Sequence, residues 1–301
     1  MSTPAPVSAQ VSDTLKELNL PTARACFTDV VRQAEQETLS YEAFLLELLQ
    51  QEVQGRRHRR IERLLRDSRL PLEKSLEAFD LTRLPARLRH QVASLVDGSL
   101  LDRRENLLAF GKPGSGKTHL LCALSQEWAR QGRPVLYATC SLLVQELLIA
   151  KRDLKLAPML KRLRRYHAIM IDDLGYVQQD RDEMEVLFTL LADRYERGSV
   201  LLTSNLPFSQ WEAIFKDPMT TAAAIDRLVH HCVILELNLP SYRIEHAQRA
   251  RPPATRAAAK GVNDQRQHPT ATSDGNGALV GKRLKDRPGR APDPPKQKGE
   301  I

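Results

Sequence analysis

The 301-residue sequence is poor in aromatic residues and cysteine, and it lacks a long apolar run. Aromatic residues make up 5% of the chain, whereas Leu and Ala are abundant, which favours a helix-rich protein. The four cysteines, Cys26, Cys122, Cys140 and Cys232, form no CxxC pair and show no metal-ligand spacing. This pattern indicates reduced, buried thiols in a reducing compartment. Because neither a signal peptide nor an apolar run of about 18 residues is found, we expect a cytoplasmic protein without a membrane span.

Positive charge is concentrated at one end of the chain. The formal net charge is +8, and residues 251–301 carry eleven Lys or Arg against five Asp or Glu. The rest of the chain is close to neutral, so the total charge alone does not indicate nucleic-acid binding. Residues 251–301 also contain seven Pro and six Gly without periodic apolar positions. This composition predicts disorder.

The hydrophobic pattern divides the chain into four parts. We predict a flexible leader over 1–10, a helical domain over 11–97, an α/β domain over 98–247 and a disordered basic tail over 248–301. In the helical domain, helices are expected at about 12–50, 55–66 and 85–96. One apolar stripe at helical spacing is expected to pack into the core; it consists of Phe44, Leu45, Leu48, Leu49 and Val53.

The second domain shows short apolar strands that alternate with helices. Strands are predicted at 106–110, 134–139, 169–171, 200–203 and 232–237. The helices between and beside them are predicted at 118–130, 142–151, 158–166, 184–197 and 222–230. This alternation predicts an α/β fold with a five-stranded parallel sheet that is covered on both faces.

One segment of this domain matches the phosphate-binding pattern G-x-x-x-x-G-K-[ST]. It reads Gly111-Lys112-Pro113-Gly114-Ser115-Gly116-Lys117-Thr118. A predicted strand precedes it and a predicted helix follows it, which is the context that distinguishes a P-loop from a chance glycine-rich turn. Glycines let the backbone curl around phosphate, and the helix N-terminus adds a positive end. We expect Lys117 to reach the β- and γ-phosphates of ATP and Thr118 to ligate Mg²⁺.

Polar residues at two later strand ends are candidate partners of the P-loop. Asp172 and Asp173 end the third strand. We expect Asp172 to hold Mg²⁺ through water and Asp173 to orient or deprotonate the attacking water. Asn205 follows the fourth strand, at the edge of the sheet where ligands bind. Its predicted role is to contact the γ-phosphate or the water, although an Asn that forms a turn before Pro207 fits the spacing equally well.

Several strings of the sequence, in this order, resemble the IstB family of ATP-binding helper proteins of insertion-sequence transposition. They are residues 106–118, Ile171-Asp172-Asp173-Leu174-Gly175-Tyr176, residues 194–198, Leu202-Thr203-Ser204-Asn205-Leu206-Pro207-Phe208 and residues 226–231. The resemblance covers about residues 10–247. The family is similar to the DnaC helicase loader and to the AAA+ initiator group. It implies an AAA+ core behind a helical N-terminal region, ATP-dependent oligomers on DNA and a dedicated transposase as partner.

The resemblance also implies roles for individual residues. Lys117 and Thr118 match Walker A, Asp172 and Asp173 match Walker B, and Asn205 matches sensor 1. Arg227 matches the position from which an arginine finger reaches a neighbouring subunit. Many AAA+ proteins carry Glu where this chain has Asp173, so slow hydrolysis is expected. Arg243 is a weak candidate for a sensor-2 arginine.

Two basic clusters are candidate DNA contacts. The first contains Arg56, Arg57, Arg59 and Arg60, followed by Arg63 and Arg66; the second contains Lys161, Arg162, Arg164 and Arg165, preceded by Lys151 and Arg152. Dense arginines suit phosphate contacts, which bind DNA without sequence preference and depend on salt. A solvated helix face is the alternative for both clusters. The resemblance supports the second cluster, since an extra helix in this stretch of initiator-type AAA+ proteins faces DNA.

The leading hypothesis is therefore an ATPase that regulates transposition, assembles on DNA and acts on a partner transposase. A replicative helicase loader of the DnaC type is the first alternative, although the Asp-Asp-Leu-Gly-Tyr string argues against it. The second alternative is a nucleotide-switched DNA-binding scaffold with negligible turnover. The rate of ATP hydrolysis distinguishes the scaffold from the other two.

Overall fold

The computed structural model describes residues 6–175, 181–211 and 218–249. Residues 1–5 of the predicted leader lie outside this range, as does the predicted tail apart from its first two residues. No helix in the described ranges is both long enough and apolar enough to cross a membrane.

Three helices form the N-terminal region: α1 (Val7–Glu17), α2 (Pro21–Glu37) and α3 (Tyr41–Asp67). The prediction of one helix over 12–50 is wrong, because the chain breaks at 18–20 and again at 38–40, and α1 begins inside the predicted leader. Pro21 occupies the first turn of α2, where a missing N–H costs nothing. Thr38 ends α2 in a left-handed conformation, and the Ser40 hydroxyl caps α3 by accepting the Ala43 N–H at 3.2 Å.

The expected break between residues 50 and 55 is also wrong, since α3 runs straight through Gly55. A β-carbon at this glycine would lie 2.2 Å from the Thr22 hydroxyl of α2. The missing side chain therefore allows α2 and α3 to approach closely, and this contact outweighs the weak helix propensity of glycine.

The predicted apolar stripe of α3 divides between two environments. Leu48 is buried and Phe44 packs against the small cluster formed with Leu15, Ala23 and Val30. In contrast, Leu45, Leu49 and Val53 are exposed. The expectation that the whole stripe packs into the core is therefore wrong, because α2 packs against only one side of this part of α3.

The second part of the chain forms the predicted α/β fold. Its strands are β1 (Asn106–Phe110), β2 (Val135–Thr139), β3 (Ala168–Leu174), β4 (Ser199–Ser204) and β5 (Cys232–Glu236). All neighbouring strands are parallel, in the order β2-β3-β4-β1-β5. The helices are α4 (Ala86–Leu95), α5 (Ser99–Asp102), α6 (Lys117–Arg130), α7 (Cys140–Arg152), α8 (Leu156–Leu163), α9 (Arg181–Arg194), α10 (Pro218–Val229) and α11 (Tyr242–Arg249). The predicted α/β fold, a five-stranded parallel sheet behind a helical N-terminal region, is confirmed.

The sheet is buried on both faces. Along β3, Ile169 and Ile171 pack into one core cluster, whereas Ala168 and Met170 pack into the other. This alternation is what a strand requires when helices cover both of its faces. The polar side chains that follow these apolar strands are consequently brought to one edge of the sheet.

The connection between α3 and α4 runs beside the sheet towards the P-loop. The Tyr137 N–H of edge strand β2 donates to the Ser68 carbonyl at 2.8 Å. Further along, Gln126 Nε2 of α6 donates to the carbonyls of Pro71 and Lys74, both at 3.1 Å. These bonds hold the connection so that Phe79 contacts His119 in the first turn of α6. The P-loop, which joins β1 to α6, lies beside Phe79.

Candidate functional site

The P-loop turns from the end of β1 into the start of α6. Gly114 and Gly116 have φ angles of 80° and 97°, a conformation that side-chain-bearing residues rarely adopt. Gly116 caps α6 without a side-chain hydrogen bond, so the first N–H groups of the helix are available to an anion. The loop borders a cavity of about 530 Å³, which is large enough for a nucleotide.

Lys117 points into this cavity and is held by three oxygen atoms. Its Nζ donates to the carbonyls of Gly111 and Lys112 at 2.9 and 3.0 Å, and to Asn205 Oδ1 at 2.6 Å. Only 5% of the residue is exposed, and burial lowers the pKa of the Lys117 ammonium. The predicted Walker A lysine and sensor 1 residue are thus in direct contact.

Asp172 accepts hydrogen bonds from three hydroxyl groups. Thr118 and Thr203 donate to its Oδ1 at 2.8 and 2.6 Å, and Tyr137 donates to Oδ2 at 3.1 Å. The three donors come from α6, β4 and β2, so Asp172 lies where these elements converge. Its contact with Thr118 brings the two predicted Mg²⁺ ligands together.

Asp173 adopts a left-handed conformation with φ of 62°, unlike the extended residues before it. Its N–H donates to Thr203 Oγ1 at 2.8 Å. Partial withdrawal from water, together with the neighbouring Asp172 carboxylate, raises the pKa of Asp173. A carboxylate whose pKa is raised is a better proton acceptor, which suits the predicted role in activating water.

The donor set fits a triphosphate with Mg²⁺. Among the described residues, Ser115 Oγ is buried without a hydrogen-bond partner, and it belongs to the same loop as Lys117. No cluster of three or more His, Cys, Asp or Glu side chains suited to a metal is found in this part of the chain. Mg²⁺ is usually held by one or two protein oxygens together with phosphate and water, and Thr118 and Asp172, which are in contact, offer such oxygens.

Two residues that contact Asp172 were not predicted from sequence. Tyr137 and Thr203 hold Asp172, and both lie on strands that flank β3 in the sheet. Thr203 stands within the Thr-Ser-Asn string, and a comparison of strand ends could have identified it. Nothing in the local sequence of Tyr137 indicates the contact, since it depends on the pairing of β2 with β3.

The segment after β5 closes the other side of the cavity. The Tyr242 N–H donates to the Gly114 carbonyl at 3.0 Å. Arg83 pairs with Glu245 at 2.9 Å and lies over the Tyr242 ring at 5.2 Å. These contacts hold the start of α11 beside the P-loop, where Arg243 lines the cavity.

Arg227 lies away from the phosphate cavity of its own chain. It lines a separate cavity of about 280 Å³ with Arg103, Arg104 and Tyr195 among others. Its guanidinium donates to the Ala223 carbonyl at 2.8 Å and lies 4.8 Å from the centre of the Phe188 ring. A role in the hydrolysis of ATP by its own subunit is therefore not supported by this position.

The first basic cluster is partly engaged within the protein. Arg56 and Arg59 donate to the buried Glu52 at 2.9 and 3.1 Å. Arg60 donates to the Gly132 carbonyl at 3.3 Å, which links α3 to the α/β part. Arg57 is exposed and has no ion-pair partner among the described residues.

The second basic cluster is more open to solvent. Lys161, Arg162, Arg164 and Arg165 are all exposed. Arg164 forms a bidentate pair with Asp193, with Nε 3.1 and 3.0 Å from the two carboxylate oxygens. The other three side chains form no ion pair in the part of the chain that the structure describes.

Comparisons with known proteins identify the family. The model of the IstB-like ATP binding protein family matches residues 13–250. An insertion-sequence ATP-binding protein of Sinorhizobium fredii is 39% identical over 252 residues, which cover 83% of this chain and 85% of the relative. The IS21 ATP-binding protein of Pseudomonas aeruginosa is 37% identical over 221 residues, covering 73% and 83%.

Among solved structures, the crystal structure of DnaI is similar at 22% identity with a TM-score of 0.47, covering 56% of this chain and 94% of DnaI. The family match spans most of the chain, including the P-loop and both carboxylates of β3. The chain therefore belongs to the family of IstB-like ATP-binding proteins.

Proposed function

We propose that this protein hydrolyses ATP, assembles on DNA and regulates a partner transposase of an insertion sequence. The observation that carries the proposal is the meeting of Lys117, Thr118, Asp172, Asp173 and Asn205 around one cavity. Family membership supplies the context of transposition.

The contacts of the site support a separate role for each of its residues during hydrolysis. The Lys117 ammonium exchanges its backbone carbonyl partners for oxygens of the β- and γ-phosphates, which are stronger acceptors. Asn205, released from Lys117, is free to hydrogen-bond the attacking water. Asp173 accepts the proton from this water. Thr118 and Asp172 would hold Mg²⁺, which would supply positive charge against the charge that develops on the phosphates.

Assembly into an oligomer gives Arg227 a function. Because it lies away from the cavity of its own chain, its guanidinium is available to the γ-phosphate of a neighbouring subunit. We place this assembly on duplex DNA in the cytoplasm, with contacts from the exposed arginines of both basic clusters. The four free cysteines are compatible with that compartment.

Steady-state phosphate release tests the enzymatic part of the proposal. We expect Mg²⁺-dependent hydrolysis by the wild type that duplex DNA stimulates, and a large loss of rate in Asp173→Asn. Equal rates in the two proteins would support a nucleotide-switched scaffold instead. The Lys117→Ala variant, which loses the cation at the phosphates, is expected to show neither hydrolysis nor ATP-dependent oligomers in light scattering.

The partner is tested with any transposase whose reading frame adjoins this gene. We expect strand transfer by that transposase to rise when this protein and ATP are added, and the Lys117→Ala protein to give no increase. If a replicative helicase is loaded onto DNA instead, and strand transfer is unaffected, the transposition proposal is wrong.

A further inference from the structure

The turn between α7 and α8 presents a leucine to solvent. Leu154 is 92% exposed, among the highest values of the large apolar side chains that the structure describes. Its neighbours in the turn, Arg152, Asp153 and Lys155, are also exposed. The side chain therefore contributes little to the packing of its own chain.

The backbone of this turn is well defined by hydrogen bonds. The Lys155 N–H donates to the Ala150 carbonyl at 2.7 Å, and the Leu154 N–H donates to the Lys151 carbonyl at 3.1 Å. This pair of bonds is the Schellman motif that ends many helices. The motif places Leu154 at the position with left-handed conformation, where its φ is 57°.

Leucine is an unfavourable choice at that position. Glycine normally occupies it and Asn is the usual substitute, because a β-carbon strains the left-handed conformation. Of the non-glycine residues with positive φ in the described chain, Leu154 is the only one with an apolar side chain. A leucine at this position strains the backbone and exposes apolar surface to water, and neither feature stabilises the fold. Residues that are locally unfavourable in this way are typical of functional positions.

The surroundings of Leu154 are strongly cationic. Residues 151–165 contain seven Lys or Arg and one Asp. Lys151 pairs with Glu185 at 2.9 Å and Lys155 lies 3.6 Å from Asp153, whereas Arg152, Lys161 and Arg162 remain exposed and without an ion pair within the described ranges. An apolar protrusion between cations is complementary to a polyanion with stacked, apolar bases, and less so to another protein surface.

We propose that Leu154 is a wedge that enters the minor groove of duplex DNA and partly unstacks one base step. The flanking cations bind the phosphates on either side, and the rigid turn keeps the side chain extended towards the bases. Apolar wedges of this kind kink DNA in architectural proteins that bind the minor groove. This inference rests on the DNA association put forward under Proposed function, and it adds a mechanism of DNA deformation.

The Leu154→Asn variant removes the proposed wedge and keeps the fold. Asn tolerates the left-handed conformation, so the variant is expected to unfold at the same temperature as the wild type or at a higher one. Thr38→Asn, at the left-handed end of α2, controls for the relief of backbone strain. Leu142→Asn, which removes another exposed leucine from α7, controls for the loss of apolar surface.

The readout is the fluorescence of a duplex that carries 2-aminopurine at several positions, titrated with protein in the presence of ATP and Mg²⁺. We expect wild type, Thr38→Asn and Leu142→Asn to raise the fluorescence at saturation, because unstacked 2-aminopurine is brighter. Leu154→Asn should lose most of this rise while its dissociation constant, followed by anisotropy, changes less than about threefold, since phosphate contacts dominate affinity.

Three other outcomes overturn the wedge in different ways. If Leu154→Asn binds and brightens the duplex as the wild type does, the wedge is wrong and DNA association stands. If the wild type does not bind the duplex at all, DNA association fails together with the wedge. If Leu154→Asn instead dissociates the oligomer in light scattering without DNA, the leucine is a contact between copies of this chain.

Discussion

The Thr203 hydroxyl donates a hydrogen bond of 2.6 Å to Asp172 Oδ1 and accepts one of 2.8 Å from the N–H of the next residue, Asp173. One hydroxyl on β4 therefore fixes both carboxylate residues at the end of β3. Asn205 lies two residues beyond Thr203 on the same segment, so the predicted sensor and the predicted Mg²⁺ ligand are connected through a short path.

Thr203→Val tests this connection, because it keeps the shape of the side chain and removes the hydroxyl. Asp172 then loses one donor and the Asp173 N–H loses its acceptor. We expect the Mg²⁺ concentration for half-maximal hydrolysis to rise about 10- to 100-fold, as when a partner of a metal ligand is removed.

Thr139→Val is the matched control for this prediction, since Thr139 lines the same cavity at the end of β2 and its hydroxyl does not cap α7. A Mg²⁺ titration of ATP hydrolysis compares the two variants. If Thr203→Val and Thr139→Val have the same Mg²⁺ dependence as the wild type, the hydroxyl of Thr203 does not position the metal ligand.

The P-loop could be predicted because its residues are contiguous and each has a fixed task in holding phosphate. The contacts of Tyr137 and Thr203 with Asp172 could not, since they depend on which strands are neighbours in the sheet. Likewise, the burial of Glu52 against the N–H groups of Thr22 and Ala23 follows from the packing of α3 on α2 and not from the run of arginines. The local sequence pattern thus identifies the phosphate site, whereas the tertiary fold decides which charged side chains remain available to bind a partner.

Asp173→Asn is expected to raise the thermal stability of the nucleotide-free protein at neutral pH. The pKa of Asp173 lies above its ordinary value, since partial withdrawal from water and the Asp172 charge disfavour the carboxylate. A charge that the fold disfavours lowers stability at pH values above the folded pKa. This loss fades as the pH falls, and it is absent below the ordinary carboxyl pKa of about 3.9.

The measurement is the unfolding temperature of wild type and variant from neutral pH down to about pH 4. The difference should shrink with decreasing pH, and Asn tolerates the left-handed backbone at this position. The same variant should hydrolyse ATP at least about 100-fold more slowly, as expected when a general base is lost. Asp13→Asn, an exposed carboxylate in α1, controls for the change in net charge. A variant that is less stable than the wild type at neutral pH would contradict the assigned electrostatics.

The arginines of α3 are expected to separate into structural and DNA-binding residues. Glu52 is 3% exposed and accepts the Thr22 and Ala23 N–H groups at 2.8 and 3.0 Å as well as the two arginines. Burial alone raises the pKa of Glu52, but hydrogen bonds from Ala23 and Arg56 outweigh it and lower the pKa. The stability from this group is therefore present above the ordinary carboxyl pKa and is lost as the pH falls below it.

Two double variants test this separation. The double variant Arg56→Gln/Arg59→Gln removes two hydrogen-bond donors from Glu52. It should destabilise the N-terminal helices by about 1–2 kcal/mol. This is less than the loss of a fully buried ion pair would cost, because both arginines are partly exposed. Arg57→Gln with Arg63→Gln should leave stability unchanged and reduce the salt slope of DNA binding by up to about 2. Denaturant unfolding and DNA titrations at several salt concentrations measure both effects. If the first pair changes only DNA affinity, the Glu52 contacts are not structural.

Arg227 provides a test of whether neighbouring subunits share an ATP site. Its guanidinium lies in a cavity apart from the P-loop of its own chain. An arginine that acts on a neighbour can be supplied by a subunit that has lost its own Asp173 carboxylate but still binds ATP and assembles. Asp173→Asn and Arg227→Ala are therefore each expected to be nearly inactive alone and to complement each other when mixed.

In an equal mixture, half of the subunits retain Asp173, and half of their neighbours retain Arg227. If assembly is random, hydrolysis should recover to about a quarter of the wild-type rate, since an arginine finger is required for fast turnover. Mixing Arg227→Ala with the double variant Asp173→Asn/Arg227→Ala is the control, because it offers no intact arginine to any site. An equal mixture of the two single variants with no more activity than this control would show that Arg227 does not act across subunits.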